Sequence, residues 1–281
     1  MPTYVSTSCL PGESNVFAIL EAYIRAGVTH IEFGSRSEYI EDISARRFRQ
    51  HGASFIVHHY FPPPRRQLVV NLASQNADIL QRSKDHIKKS VAFCHDLGCG
   101  LYSFHAGFRA DPDDRFIFPD PAQVCDYETA FQTFVDSVKE IDEYARGKGV
   151  KIAVENNVLA GHNVVDGQNP YLLLCMADEF REFWGSIGSS NVGLLLDLGH
   201  LKVSSHWMGF DRDEFVGKVR DRVFAVHMHE NNGLEDQHLR LDKASWCLEV
   251  VHRERMADLP IVLEIPLDSV QEIVDEMALV G

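Results

Sequence analysis

Six short apolar runs in this chain each end in a residue type that can ligate a metal. Ser54 to Val57 runs into His58 and His59, Leu101 to Phe104 into His105, and Ile152 to Val154 into Glu155. Val192 to Leu196 ends in Asp197, with His200 three residues on, Val223 to Val226 leads to His227 and His229, and Ile261 to Leu263 leads to Glu264. A carboxylate closing a buried strand is stable when paired with a cation or facing a polar cavity. Taken singly, each of these is more simply a packed histidine or a salt-bridged rim carboxylate. As a series they argue for shared chemistry. Imidazoles and carboxylates gathered in one place make a divalent metal site, and mixed nitrogen and oxygen donors suit zinc, manganese or cobalt.

Further candidates lie beside this series. Asp236 and His238, spaced i, i+2 in the loop after the run that leads to His227, could complete a second or third ion position. Successive strand residues point to opposite faces, so only one of His58 and His59 faces the others, and His58 is preferred. His227 and His229 share a face; His227 is preferred, with His229 near it. Arg109 and Arg115 fall in a long loop, where they either hold an anionic substrate or remain solvated charges. His30, His51, His86, His95 and His252 fall at strand starts or on helices, where packing is the simpler account.

The elements that must position these residues repeat as strand then helix. Strands are expected at Thr3 to Ser8, Thr29 to Phe33, then at the six runs above. Helices are expected at Val16 to Ala26, Glu41 to Gln50, along Leu80, Ile87, Val91 and Cys94, and along Ala130, Phe134, Val138, Ile141 and Ala145. Others fall at Pro170 to Trp184, Asp211 to Val219, Asp242 to Arg255 and Ser269 to Met277. His200 is placed in a loop after the sixth strand. Eight rounds in one chain argue a single α/β domain over 1–281, a (β/α)₈ TIM barrel. All eight strand C-termini open on one face of such a barrel, so the ligand types would converge there from positions far apart in sequence.

Composition bounds the partners. Lys plus Arg number 27 against 41 Asp plus Glu, a formal net charge of -14, which disfavours a general nucleic-acid or anionic-membrane surface. The six cysteines lack Cys-x-x-Cys spacing and read as reduced thiols of a cytoplasmic protein. No apolar run approaches a membrane span, and the start of the chain lacks a signal pattern.

With these residues in view, the chain resembles the xylose isomerase-like TIM barrels, the superfamily of sugar isomerases and epimerases and of endonuclease IV-like enzymes (AP endonuclease family 2). The matching pieces are Val57-His58, Phe104-His105-Ala106-Gly107, Val154-Glu155-Asn156, Leu196-Asp197-Leu198-Gly199-His200, Val226-His227-Met228-His229-Glu230-Asn231, Asp236-Gln237-His238 and Leu263-Glu264. The resemblance implies a four-ligand core shared by the isomerases: Glu155, Asp197, the seventh-strand histidine and Glu264. It also implies an endonuclease-like set that adds His58, His105, His200, Asp236 and His238 and holds three zinc ions.

The preferred expectation is a sugar or sugar-phosphate isomerase or epimerase using one to three divalent ions (Zn, Mn, Co or Mg), acting through a metal-stabilised enediolate. Glu155 and Glu264 would move the proton and His200 would hold a substrate hydroxyl. The alternatives are a multinuclear zinc phosphoesterase and a non-catalytic sugar- or metal-binding barrel. A small-molecule partner, no membrane and a homo-oligomer complete the expectation.

Overall fold

Apolar runs too short for helices form the wall of a closed parallel barrel. The computed structural model describes residues 2–113 and 115–281. Its strands are β1 (Thr3–Ser6), β2 (His30–Phe33), β3 (Ser54–His58), β4 (Leu101–His105), β5 (Lys151–Glu155), β6 (Val192–Asp197), β7 (Val223–Met228) and β8 (Ile261–Leu263). Each pairs in parallel with the next, and β8 closes on β1 through Tyr4↔Val262 and Val5↔Leu263. The intervening helices are α1 (Val16–Arg25), α2 (Ala45–Arg49), α3 (Ala77–Leu97), α4 (Tyr127–Gly147), α5 (Ala177–Ile187), α6 (Leu198–Met208), α7 (Arg212–Val219), α8 (Trp246–Arg253) and α9 (Val270–Val280). Eight strands with intervening helices make this the (β/α)₈ barrel that the sequence implies.

The strand period of two explains where the chemistry sits. Outward residues such as Ile152, Val154, Leu194, Leu196 and Val226 are buried in the core between strands and helices. Ala153, Leu195 and Ala225 form a separate cluster, packed against Leu101 and Phe224. Two residues further along the same strands stand Glu155, Asp197 and His227, which therefore share that side of the sheet. Register fixes their height: His105 lies opposite Glu155, and Asp197 opposite His227.

Helix ends follow ordinary capping rules. The Asn76 side chain accepts from Asp78 N and Ile79 N at the start of α3, and Gly98 in the left-handed region closes it. Three expectations are corrected. The segment after β6 is helix α6, not a loop, and His200 lies in its first turn. Helix α5 begins at Ala177 and not at Pro170, because residues 170–176 form a bent, non-helical segment with Leu174 at φ 56°, tied down by Arg109 N donating to Tyr171 O and Leu173 N to Gly107 O. Helix α2 begins at Ala45 and not at Glu41, with Ser44 capping its start. Among the described residues, no helix is long and apolar enough to cross a membrane.

Candidate metal centre

Glu155 is the hub of the barrel mouth. Its Oε2 lies 2.9 Å from His105 Nδ1 and 3.5 Å from His58 Nε2, while its Oε1 lies 3.4 Å from His227 Nδ1 and 3.5 Å from His200 Nδ1. His227 Nδ1 is also 3.2 Å from Glu264 Oε2 and 3.7 Å from Asp197 Oδ2. Asp197 Oδ1 faces His229 Nε2 at 3.3 Å, and Asp236 Oδ2 sits 3.2 Å from His238 Nε2 and 3.4 Å from His200 Nε2. Three ligand groups result, their atoms within 4.8 Å of one another: His58–His105–Glu155; Asp197–His227–Glu264; and His200–His229–Asp236–His238. Glu155 also groups with Asp197 and His200, which joins the three. All ten metal-ligand candidates from the sequence converge here.

The imidazoles are held from behind, which decides which nitrogen faces inward. His200 Nδ1 donates to Asn156 O at 3.0 Å and His238 Nδ1 to Glu264 O at 2.7 Å, so in the neutral ring it is Nε2 that would carry the lone pair toward an ion beside Asp236. His58 Nδ1 lies 3.0 Å from Ser103 Oγ, leaving Nε2 toward Glu155. The Asp197 carboxylate caps α6 through His200 N at 2.7 Å. Its peptide N–H and C=O are clamped by the Asn156 amide, at 2.9 and 3.0 Å.

Electrostatics fit a cation. Burial opposes charge on Glu155 and Asp197, yet His105 and His58 hold Glu155 well below the usual carboxylate range, and His200 and His229 do so for Asp197. Burial likewise opposes charge on His200 and His227, but Asp197 and Asp236 raise the first, and Glu32 and Glu264 the second, well above ordinary imidazole values. In the metal-free chain, imidazolium charge offsets the buried carboxylates. Glu155 Oε1 and Oε2, Asp197 Oδ2, His227 Nδ1, both His229 nitrogens and Asp236 Oδ1 are all buried without a hydrogen-bond partner. Buried polar atoms are normally satisfied. Divalent ions among them would satisfy this donor set, so the residues fit the metal that the sequence implies.

The centre forms the floor of a cavity of about 400 Å³ whose lining includes His105, His200, Asp236, His238 and Glu264. Aromatic walls come from Tyr60, Phe108, Phe116 and Phe118. Neither Arg109 nor Arg115 lines it. Arg109 donates to the backbone carbonyls of Cys125 and Asn169, at 3.1 and 3.4 Å, and Arg115 pairs with Asp113 at 3.1 Å, so their expected contact with substrate has no geometric support. His59 does line the cavity. The alternation rule sends His58 and His59 to opposite faces, but β3 ends at His58 and the chain turns there, Phe61 N bonding His58 O. Glu32 is the residue that sequence reasoning misses: it is fully buried on β2, with Oε2 3.0 Å from His227 Nε2.

An uncharacterised Methanocaldococcus jannaschii protein, MJ1311, is 26% identical over 179 residues, covering 63% of this chain and 53% of that protein. Apurinic-apyrimidinic endonuclease 1 of Saccharomyces cerevisiae is 24% identical over 226 residues, covering 73% and 54%. The matches thus span only about half the length of these curated relatives. The crystal structure of a D-tagatose 3-epimerase-like protein superposes with a TM-score of 0.75 at 20% identity, covering 99% of this chain and 95% of the other, a likeness of fold. The family model described as xylose isomerase-like TIM barrel matches residues 20–279, and the chain belongs to that family.

Proposed function

We propose that the chain is a divalent-metal-dependent isomerase or epimerase of a small sugar or sugar phosphate. The observation that carries this reading is the placement of two carboxylates around one imidazole. Glu155 Oε1 and Glu264 Oε2 lie 3.4 and 3.2 Å from His227 Nδ1, and Glu264 also lines the cavity. A space of about 400 Å³ with aromatic walls and a polar floor fits a monosaccharide.

Glu155, Asp197, His227 and Glu264 would hold one ion, and an ion there supplies Lewis acidity toward neighbouring carbonyl and hydroxyl oxygens. Glu264 is ionised at neutral pH, since His227 and His238 hold its carboxyl below the ordinary range against burial. It can take the proton from the carbon beside a carbonyl, and Glu155, once it has taken a proton from solvent, can return that proton from the other side. His200 holds a substrate hydroxyl. Likeness to the epimerase-like fold supports this reading.

The test is solvent deuterium incorporation into a panel of ketoses and their phosphates, with Mn²⁺, Co²⁺ or Zn²⁺ supplied. Wild type should incorporate deuterium; Glu264→Gln should lose incorporation while retaining metal. Persistence of exchange in that variant removes Glu264 from the role.

A second reading, a multinuclear zinc phosphoesterase, is favoured by the two further ligand groups beyond that ion and by the endonuclease relative. It requires about three zinc ions per chain and cleavage of an abasic-site duplex. The net charge of -14 weighs against a duplex substrate.

A further inference from the structure

We infer that Glu32 is a positioning residue: by accepting a hydrogen bond from His227 Nε2–H, it fixes the tautomer that presents Nδ1 to the ion. The inference rests on His227 as an ion ligand and is independent of which reaction follows. His227 is fully buried, so the groups packed around it orient its ring. On the Nδ1 side stand Glu155, Asp197 and Glu264, within 3.2 to 3.7 Å. On the Nε2 side stands Glu32 Oε2, at 3.0 Å. A neutral imidazole has one N–H and one lone pair. Three carboxylates need a cation between them and His227, and that cation needs the lone pair at Nδ1. The proton is then left on Nε2, whose N–H donates to Glu32 Oε2.

Glu32 could instead bind an ion directly, as it groups with His58 and His227. The disposition of the other partners argues against that. His58 has its Nδ1 against Ser103 and its Nε2 against Glu155, so its outward nitrogen serves a different carboxylate. The β2–β3 register places Glu32 opposite Ile56, two residues short of His58. Glu32 thus lies one layer below the ligands, where it can support a ligand from behind.

The experiment uses metal-stripped wild type, Glu32→Gln and Glu32→Leu, titrated with Co²⁺ and followed by visible absorption in competition with a chelating dye. The glutamine variant keeps an oxygen that can accept from Nε2–H, so affinity should stay within about tenfold of wild type. The leucine variant should lose roughly 10–100-fold at one ion position and shift the cobalt band, with far-UV circular dichroism unchanged. Wild-type affinity and band shape in Glu32→Leu would overturn the inference. An equal loss in both variants would also overturn it, because charge and not orientation would then be the role. Should the leucine variant fail to fold, long-range ¹H–¹⁵N spectra of zinc-loaded wild type decide. His227 should be protonated at Nε2 and metal-shifted at Nδ1, and the reverse pattern overturns the assignment. No readout here involves turnover, so failure of the isomerase reading leaves them interpretable.

Discussion

His229 occupies the space that a side chain on Gly199 would need: a Cβ there would lie 2.6 Å from His229 Nδ1 and closer still to Cε1. The glycine sits in the first turn of α6, where alanine would ordinarily favour the helix by about 1 kcal/mol. His229 is fully buried and its ring stacks on His238 with centroids 3.8 Å apart, so it has no room to withdraw. Overpacking of this kind costs roughly 1–3 kcal/mol and outweighs the helix gain. Gly199→Ala should therefore lower the melting temperature. It should also weaken one ion position, that of His200, His229, Asp236 and His238, at least about tenfold while sparing the others. Metal analysis of dialysed protein checks it; unchanged stoichiometry would separate His229 from the centre.

Arg109 and Arg115 make a contrasting pair. The Arg109 guanidinium ties two loop carbonyls together, whereas Arg115 pairs with Asp113 on the surface. Arg109→Ala should destabilise the protein by roughly 1–3 kcal/mol through loss of charge-assisted bonds. Arg115→Ala should change stability by no more than about 0.5 kcal/mol. Neither should alter KM for an anionic substrate by more than about twofold, since a change of that size is under 1 kcal/mol of binding. A tenfold rise in KM for either variant would return that arginine to the binding site.

Asn156 holds the loop end of β5 to that of β6. Its amide bonds both the N–H and the C=O of Asp197, and its own carbonyl accepts from His200. Removing that amide takes a partner from two buried backbone groups, at up to about 1–3 kcal/mol each. Asn156→Ala should thus lower stability by a few kcal/mol and weaken metal binding in the same variant. Retention of full metal affinity would show that Asp197 is held by strand register alone.

Much of this centre was legible because each ligand follows an apolar strand, and parallel strands of one barrel end on one face. Glu32 was not legible, because Phe33 continues the strand beyond it and no run ends there. Its signal is an acid inside a four-residue strand with apolar neighbours on both sides, which a buried carboxylate would explain. His59 was misplaced because the alternation rule holds only while the strand lasts. Helix α6 was hidden by Gly199 and by Ser204 and Ser205, all poor helix formers. Its start is fixed instead by the Asp197 cap and by contacts that local sequence does not encode. The bent 170–176 segment is hidden for a similar reason, since its partners at Gly107 and Arg109 lie more than sixty residues away.

Stability of the metal-free protein should fall as pH rises. Burial pulls the His238 imidazole down, but Asp236 overrides this and raises it to about 9. His200 and His227 shift upward for the same kind of reason. A folded-state pKa above the unfolded value of 6.5 means that the stabilisation is complete below pH 6.5 and is lost as pH climbs through about 9. For His238 alone this is on the order of 3 kcal/mol, or roughly 5 °C in melting temperature for a chain of this length. Carboxylates such as Glu155 and Asp197 shift downward, so their contribution is present above the unfolded carboxylate range and fails only on acidification. When divalent ions take over the positive charge, the imidazoles no longer need protons, and metal binding itself strengthens with pH. Melting curves with and without a chelator should therefore diverge between pH 6.5 and 9, the chelated protein falling while the loaded protein holds. Parallel curves across that interval would mean that the clustered histidines do not exchange protons for metal.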